Sequence, residues 1–243
     1  MRVLAIDSAM NGCQACVCEV SEETRVLAQE TQKATRGQAE HLMPMVERMI
    51  EESEVSYSTL DLIGVTNGPG AFTGMRVAIA TAKALALASN KPVVGVPTIN
   101  AVLGSYLSQK TQEERVFPFY AVILETKRND YYFQMFEVDT RKGCISMDDI
   151  VHHTAAIVAN ASEISAIIST KDVLLIGDAQ ERFLSECNKT WPSHIIMMPE
   201  GGSVAKLAKN IYQTEGGEGV CKPIYMREAE IGKSKTISRV IKT

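Results

Sequence analysis

The residues whose types and spacing could do chemistry sit where short apolar runs end. Asp7 follows the run Arg2 to Ile6 and opens a turn-rich stretch, Asp7-Ser8-Ala9-Met10-Asn11-Gly12. A carboxylate there could hold a metal-bound phosphate or orient a water. It could equally hydrogen-bond its own turn, as aspartate does readily. The second place is GPGAFTGMR, Gly68 to Arg76, between the apolar run Leu62 to Thr66 and an alanine-rich stretch too long for a strand. Gly68, Gly70 and Gly74, with Thr73 among them, permit a sharp strand-to-helix turn and a close backbone approach. A helix start offers unpaired N–H groups and a positive dipole end, so an anion or a partner's backbone fits there. A tight turn with packed glycines is the other reading. Gly177-Asp178 repeats the arrangement, an apolar run ending in a glycine turn.

The cysteines and histidines offer less. Cys13 and Cys16 form a C-x-x-C, but they lie in a strand-like run, where residues three apart point to opposite faces. No second Cys/His pair with ligand spacing follows. Cys16 and Cys18 share a face and read as small packed side chains. His41, His152, His153 and His194 include no pair four apart, the spacing that would set two imidazoles on one helix face.

The elements that must position these groups follow from periodicity. Arg2–Ile6, Gln14–Val20 and Arg25–Gln32 read as an antiparallel meander. Gln38–Ser53 reads as a helix with Leu42, Met45, Val46, Met49 and Ile50 on one face, and Pro44 early in it should cost a hydrogen bond or bend the first turns. The helix after the glycine loop carries alanines at alternate positions, so small residues surround it and imply close packing on more than one side. Arg76 in its first turn runs against the helix dipole, which predicts a carboxylate partner, Asp61 or a glutamate of the preceding helix. Pro92–Val96 reads as a strand, followed by a helix to Leu107.

The second half starts like the first. Phe117–Glu125 and Tyr131–Val138 read as strands around a charged turn, with Cys144–Met147 closing a second meander. A helix over Thr154–Thr170, a strand Asp172–Gly177, a helix Ala179–Cys187, a strand His194–Met198 and a helix Gly202–Gln213 follow. Thr214–Gly219 reads as a loop, and the end, Arg227 to Thr243, as a basic arm or a solvated tail. The repeated order of meander, helix, strand, helix predicts two α/β halves with a cleft between them. The expected division is 1–108 and 109–243, with the basic tail at 228–243.

Composition bounds the partners. The chain has 243 residues, 45% hydrophobic and 22% charged, with a net charge of −4. It can bury a sizeable core. It lacks the basic excess of a protein that grips nucleic acid alone. No apolar run reaches membrane-spanning length and no leader precedes the strand-like VLAI, so a cytoplasmic protein with reduced cysteines and no membrane contact is expected.

Several stretches carry a resemblance. VLAIDSA (Val3 to Ala9), GQAEHLMP (Gly37 to Pro44) and above all GVTNGPGAFTGMR (Gly64 to Arg76) resemble the TsaB (YeaZ) family of tRNA threonylcarbamoyladenosine biosynthesis proteins. Ala71 and Met75 depart mildly from that family's usual GPGSFTGLR. ETKRNDYY (Glu125 to Tyr132) is similar to its DARxxEVY, and PIYMR (Pro223 to Arg227) to its late PxYLR. The resemblance implies an α/β fold of two lobes, of the actin/Hsp70/sugar-kinase type, each a mixed sheet with an antiparallel meander plus helices. It implies a non-catalytic scaffold that binds and activates TsaD, the metal-bearing catalytic paralogue. With the ATPase TsaE, that pair places threonylcarbamoyl on the adenosine 3′ of the anticodon. It implies a homodimer when the chain is alone, tRNA contact only through the complex, and no intrinsic cofactor or metal. Weak or partner-dependent ATP/ADP binding would fall on Asp7, Gly68, Gly70, Thr73 and Gly74. The partner surface would use the two N-terminal helices, at His41, Met45, Met49, Ala78, Thr81, Ala82 and Leu85, all of which could instead be core. The alternatives are a small-molecule phosphotransferase of the same fold, with Asp7 and Gly177-Asp178 at the nucleotide, and a metallopeptidase, which the missing ligand pair argues against.

Overall fold

The computed structural model describes residues 1–33, 37–111, 113–140, 146–215 and 221–227. Its first sheet has five strands, β1 (Arg2–Asp7), β2 (Gly12–Val20), β3 (Thr24–Lys33), β4 (Leu62–Thr66) and β5 (Val93–Val96), in the order β3-β2-β1-β4-β5. The meander is antiparallel, whereas β4 and β5 join β1 in parallel after crossovers. The crossovers are α1 (Gln38–Glu52) and α2 (Phe72–Ser89), followed by α3 (Thr98–Gln109). α1 runs through Pro44, whose ring is exposed.

The second sheet repeats the plan. β6 (Phe119–Glu125) and β7 (Tyr131–Val138) are antiparallel, and β10 (Val173–Gly177) and β11 (Ser193–Ile195) add in parallel, giving β11-β10-β6-β7-β8. Two short strands, β8 (Ile150–His152) and β9 (Ile157–Ala159), share the outer edge of β7. The repeated order in two lobes is the actin/Hsp70/sugar-kinase architecture anticipated. α4 (Ala161–Ile168) and α5 (Gln180–Cys187) cover this sheet, and α6 (Gly201–Glu215) follows β11.

Three local expectations change. Cys144 and Ile145 lie outside the described residues, and Met147 sits in a short 3-10 turn, so β8 and β9 supply the third-strand position. The helix expected over Thr154–Thr170 splits. Ile157 and Val158 are β-branched and pair with Phe133 and Tyr132, and the helix begins only after Asn160. There the Asn160 side chain accepts from the Glu163 N–H while Glu163 reaches back to the Asn160 N–H, a reciprocal cap that fixes the start. Thr214 and Glu215 belong to α6; residues 216–220 and the basic tail 228–243 are outside the described residues.

Two helices trade lobes. α6 comes late in the chain but lies on the first sheet, where Val204, Ala205 and Ala208 pack with Val3, Ala5, Cys16, Cys18 and Leu62. Gly64 faces the Ala208 methyl so closely that a Cβ would approach it to 2.5 Å. α3 comes from the first half, yet Ile99, Val102, Leu103 and Tyr106 join a core with Tyr120, Val122 and Phe136 of the second sheet. α3 and α6 also pack on each other, so the lobes are held together by an exchange of helices. The cysteines behave as packing residues: Cys13 faces the core under α1, Cys16 and Cys18 the core under α6, with their sulfurs 3.3 Å apart. Among the described residues no helix is long and apolar enough to cross a membrane, and no cluster of His, Cys, Asp and Glu could hold a metal.

Candidate functional site

Parallel strands point their carboxyl ends one way, and loops leaving those ends make the crevice of an open α/β sheet. β1 ends at Asp7, β4 at Thr66, β6 at Glu125 and β10 at Gly177. Between the lobes lies a cleft of about 660 Å³, lined by residues 9–11, 70–76, 124–128, Asp178 and 224–227.

The glycine loop forms one wall, and its glycines have a specific use. A Cβ at Gly70 would lie 2.1 Å from the Ala9 carbonyl oxygen, and one at Gly74 would lie 2.0 Å from that of Ser8. The Ala71 N–H donates to the Ala9 carbonyl at 2.6 Å. The start of α2 thus sits on the backbone of the β1–β2 loop. Gly68 has φ +111°, a conformation costly for a side chain. Gly70, Thr73 and Gly74 line the cleft; Gly68 is covered by Met75 and Ile224. Asp7 lies beneath, 1% exposed, and does not line the cleft.

Asp7 therefore acts inside the fold. One carboxylate oxygen accepts from the Thr66 hydroxyl and, at 3.1 Å, from the Ala9 N–H; the other has no partner among the described residues. Burial pushes its pKa up to about 6, against the pull of the Thr66 and Ala9 bonds. A carboxyl raised in the folded state favours folding below its unfolded value and loses that advantage as pH rises through about 6. Asp7→Asn removes the titration. Relative to wild type, the variant should gain roughly 2 kcal/mol of stability between pH 4 and 7.5. Urea unfolding of both proteins at the two pH values measures the gain; an unchanged difference would mean that Asp7 titrates normally.

The opposite wall is an ion-pair network on the second lobe. Arg182 of α5 holds Glu125 through Nε and Nη2, both at 3.0 Å, and donates to the Arg128 and Asp130 carbonyls at 2.7 and 2.9 Å. Its guanidinium lies 4.0 Å from the Tyr131 ring centroid. Asp130 accepts from Thr126 at 2.6 Å and pairs with Arg227. Burial opposes its charge, but these partners hold its carboxyl below the ordinary value. The charged turn is thereby locked, with Lys127 at φ +60° and exposed. Asp178, pushed up by burial, accepts from the Glu125 N–H at 2.9 Å and from Asn11 of the first lobe at 2.8 Å. It is a clasp between the lobes.

The segment 221–227 straps the cleft. The Ile224 N–H donates to the Asn67 carbonyl at 2.7 Å, and Asn67 donates to the Lys222 carbonyl at 3.0 Å. Beyond it, Tyr225 meets Arg76 and Phe72, and Arg227 reaches Asp130. The carboxylate expected beside Arg76 is absent among the described residues. Its guanidinium lies 3.7 Å from the Phe72 ring centroid, and Nε donates to the Tyr225 hydroxyl at 2.7 Å. Asp61 instead accepts from the Arg2 N–H. Aromatic faces satisfy a cation that the helix dipole disfavours. Arg182 and the Asn11–Asp178 bond had no signal in the sequence, because their partners lie more than fifty residues away.

A family model described as TsaD, tRNA N6-adenosine threonylcarbamoyltransferase, matches residues 25–211. The tRNA threonylcarbamoyladenosine biosynthesis protein TsaB of Buchnera aphidicola subsp. Baizongia pistaciae is 25% identical over 93% of this chain and 98% of its own. The chain belongs to that family, in its TsaB (YeaZ) branch. The Escherichia coli TsaB is 33% identical over 41% of each chain. The tRNA N6-adenosine threonylcarbamoyltransferase of Erythrobacter litoralis is 40% identical, but the match spans 37% of this chain and only 26% of that protein. The YeaZ structure from Pseudomonas aeruginosa shares the fold, with a TM-score of 0.72 and 22% identity over 92% of this chain and 99% of its own.

In this TsaB-family chain the helix faces differ from expectation. Met45, Met49, Ala78, Ala82 and Leu85 are buried in one core between α1, α2 and the first sheet. They cannot offer a surface to a partner. His41 and Thr81 are half-buried. α2 is apolar on most sides, so the sequence could not say which small residues face inward. Those facing outward are Ala80, Ala84 and Ala88, beside half-buried Val77 and with Leu87 86% exposed.

Proposed function

We propose that this chain is the non-catalytic scaffold of bacterial tRNA threonylcarbamoyladenosine synthesis, binding the TsaD catalytic subunit and keeping it active. The carrying observation is the relation to a TsaB protein along nearly the whole of both chains. The cleft supports it. Glu125 is held by Arg182, Asp178 by Asn11 and a backbone N–H, and Asp7 is sealed under the glycine loop. The carboxylates that a phosphotransferase would need are engaged in holding the fold, so the kinase alternative is not favoured.

The rest of the reading follows the family. TsaE acts on the TsaB–TsaD pair, tRNA engages the complex, the chain alone forms a homodimer, and the setting is the cytoplasm. Any ATP or ADP binding is weak or completed by the partner. The partner surface moves to the outward side of α2, at Val77, Ala80, Ala84 and Leu87, where small side chains permit close helix approach.

The test is reconstitution of the modification from TsaC, TsaD, TsaE, tRNA, threonine, bicarbonate and ATP, with and without this chain. Product should appear only with it, and TsaD should co-elute with it. Leu87→Arg should stay folded and weaken TsaD binding about a hundredfold, as a charge forced into an apolar contact does. Equal product without the chain would sink the scaffold role; unchanged affinity of Leu87→Arg would remove this face of α2.

A further inference from the structure

The acidic groups around the cleft are ion-paired or hydrogen-bonded internally, but two cations at its mouth meet no carboxylate among the described residues. Glu125 pairs with Arg182, Asp130 with Arg227, and Asp178 accepts from Asn11 and a backbone N–H. Among the described residues Arg76 meets a phenol, through Nε, and a ring face but no carboxylate, and Lys127 has no ion pair. Among the described residues these two positive charges have no carboxylate beside them, in a chain whose net charge is −4. The two cations stand on different lobes, Arg76 on α2 and Lys127 on the locked turn.

Beside Arg76 two large rings face solvent. Phe72 is 53% and Tyr225 46% exposed, with ring centroids 5.7 Å apart and planes tilted by 38°. The guanidinium sits against Phe72 while its Nε holds the Tyr225 hydroxyl, so rings and cation form one ordered surface. Exposed rings interleaved with cations are the chemistry that takes unpaired nucleotides. Bases stack on the rings, and phosphates meet the guanidinium and ammonium. A polyanion also matches the sign of the charge left over.

We infer that Phe72, Arg76 and Tyr225 form a stacking platform for unpaired RNA, with Lys127 on the facing rim taking a phosphate. The inference rests on the scaffold reading for which RNA arrives, the exposed loop of the tRNA. The chain as a whole carries a net charge of −4, so the contact is weak in the isolated chain and gains strength when a partner holds the RNA nearby.

The experiment measures fluorescence anisotropy of a labelled anticodon stem–loop RNA, with the full chain alone and in complex with TsaD, across a series of KCl concentrations. Arg76→Ala should weaken binding about tenfold and flatten the slope of log K against log salt by about 0.7, the loss of one single-strand phosphate contact. Phe72→Leu should weaken binding about fivefold or more with the slope unchanged, since a stack carries no charge. Arg76→Lys should restore the slope, and Arg25→Ala, on β3 at the end of the first sheet away from the cleft, should change neither quantity. The platform is overturned if Arg76→Ala and Phe72→Leu bind as wild type, or if millimolar AMP displaces the RNA completely, which would mark a mononucleotide pocket. Loss of TsaD co-elution with RNA binding intact would also overturn it, in favour of a protein contact. If modification requires the chain yet RNA binding ignores these variants, only the platform fails. If modification does not require the chain yet the platform variants still weaken RNA binding, only the scaffold reading fails.

Discussion

Met49→Arg is expected to leave little folded protein at 25 °C. The Met49 side chain is 2% exposed, in a core with Leu42, Val46, Ala78 and Ala82. Removing it forfeits apolar burial worth about 2–5 kcal/mol, and the guanidinium that replaces it has no carboxylate in that core to meet. The sum, about 5 kcal/mol or more, rivals the whole stability of an ordinary domain. Leu87→Arg, on the same pair of helices but outside, should cost less than about 0.5 kcal/mol. Far-UV circular dichroism with urea unfolding separates the two. A Met49→Arg protein that unfolds within 1 kcal/mol of wild type (about a fivefold change in equilibrium constant) would mean that the α1–α2 core is not formed in solution.

Gly74→Ala tests what the glycine loop is for. Alanine is the better helix former by about 1 kcal/mol, so propensity alone predicts a gain. Packing opposes it, because the new methyl would stand 2.0 Å from the Ser8 carbonyl oxygen, an atom of the backbone that cannot rotate away. The start of α2 would have to lift off the β1–β2 loop. We expect a loss of about 3 kcal/mol and a midpoint lower by roughly 6–12 °C in thermal unfolding. Gly202→Ala, in the first turn of α6, is the comparison. Its methyl would meet Thr24 and Val26 methyl groups at 3.5 and 3.6 Å, an ordinary contact, and should be near neutral. Equal midpoints for the two variants would refute the close-approach account of Gly74.

The fold was largely legible because its signals are local. Alternation marked β7, with Tyr132, Phe136 and Val138 on the face that meets α3, and apolar runs ending in glycine marked β4 and β10. The Asn160…Glu163 cap was also written in the sequence, yet the apolar spacing of Ile157, Val158 and Ala161 masked it and joined a strand to a helix. The site was less legible because its determinants are distant. The type of residue at Gly74 announces a close approach, but the partner, Ser8, lies in another loop. Arg76 announces an unusual cation at a helix start, but its rings come partly from position 225. On α2, hydrophobicity on most sides left inside and outside undecided between Ala82 and Ala84, and only the packing of α1 against it chose.

The exchange of helices has a consequence for biosynthesis. The chain leaves the ribosome N-terminus first, so the first sheet's strands are complete once residue 96 is made. The face carrying Val3, Cys16, Leu62 and Val94 then waits for Val204 to Ala208, more than a hundred residues later. During that interval Ala101 of α3 is the part of this core already made, and most of the apolar sheet face has no cover of its own. The first lobe should therefore not mature as an independent early domain. Both lobes should settle together, late, and a nascent chain stalled before α6 should be a substrate for chaperones; protease resistance of the first sheet in such a stalled chain would show otherwise.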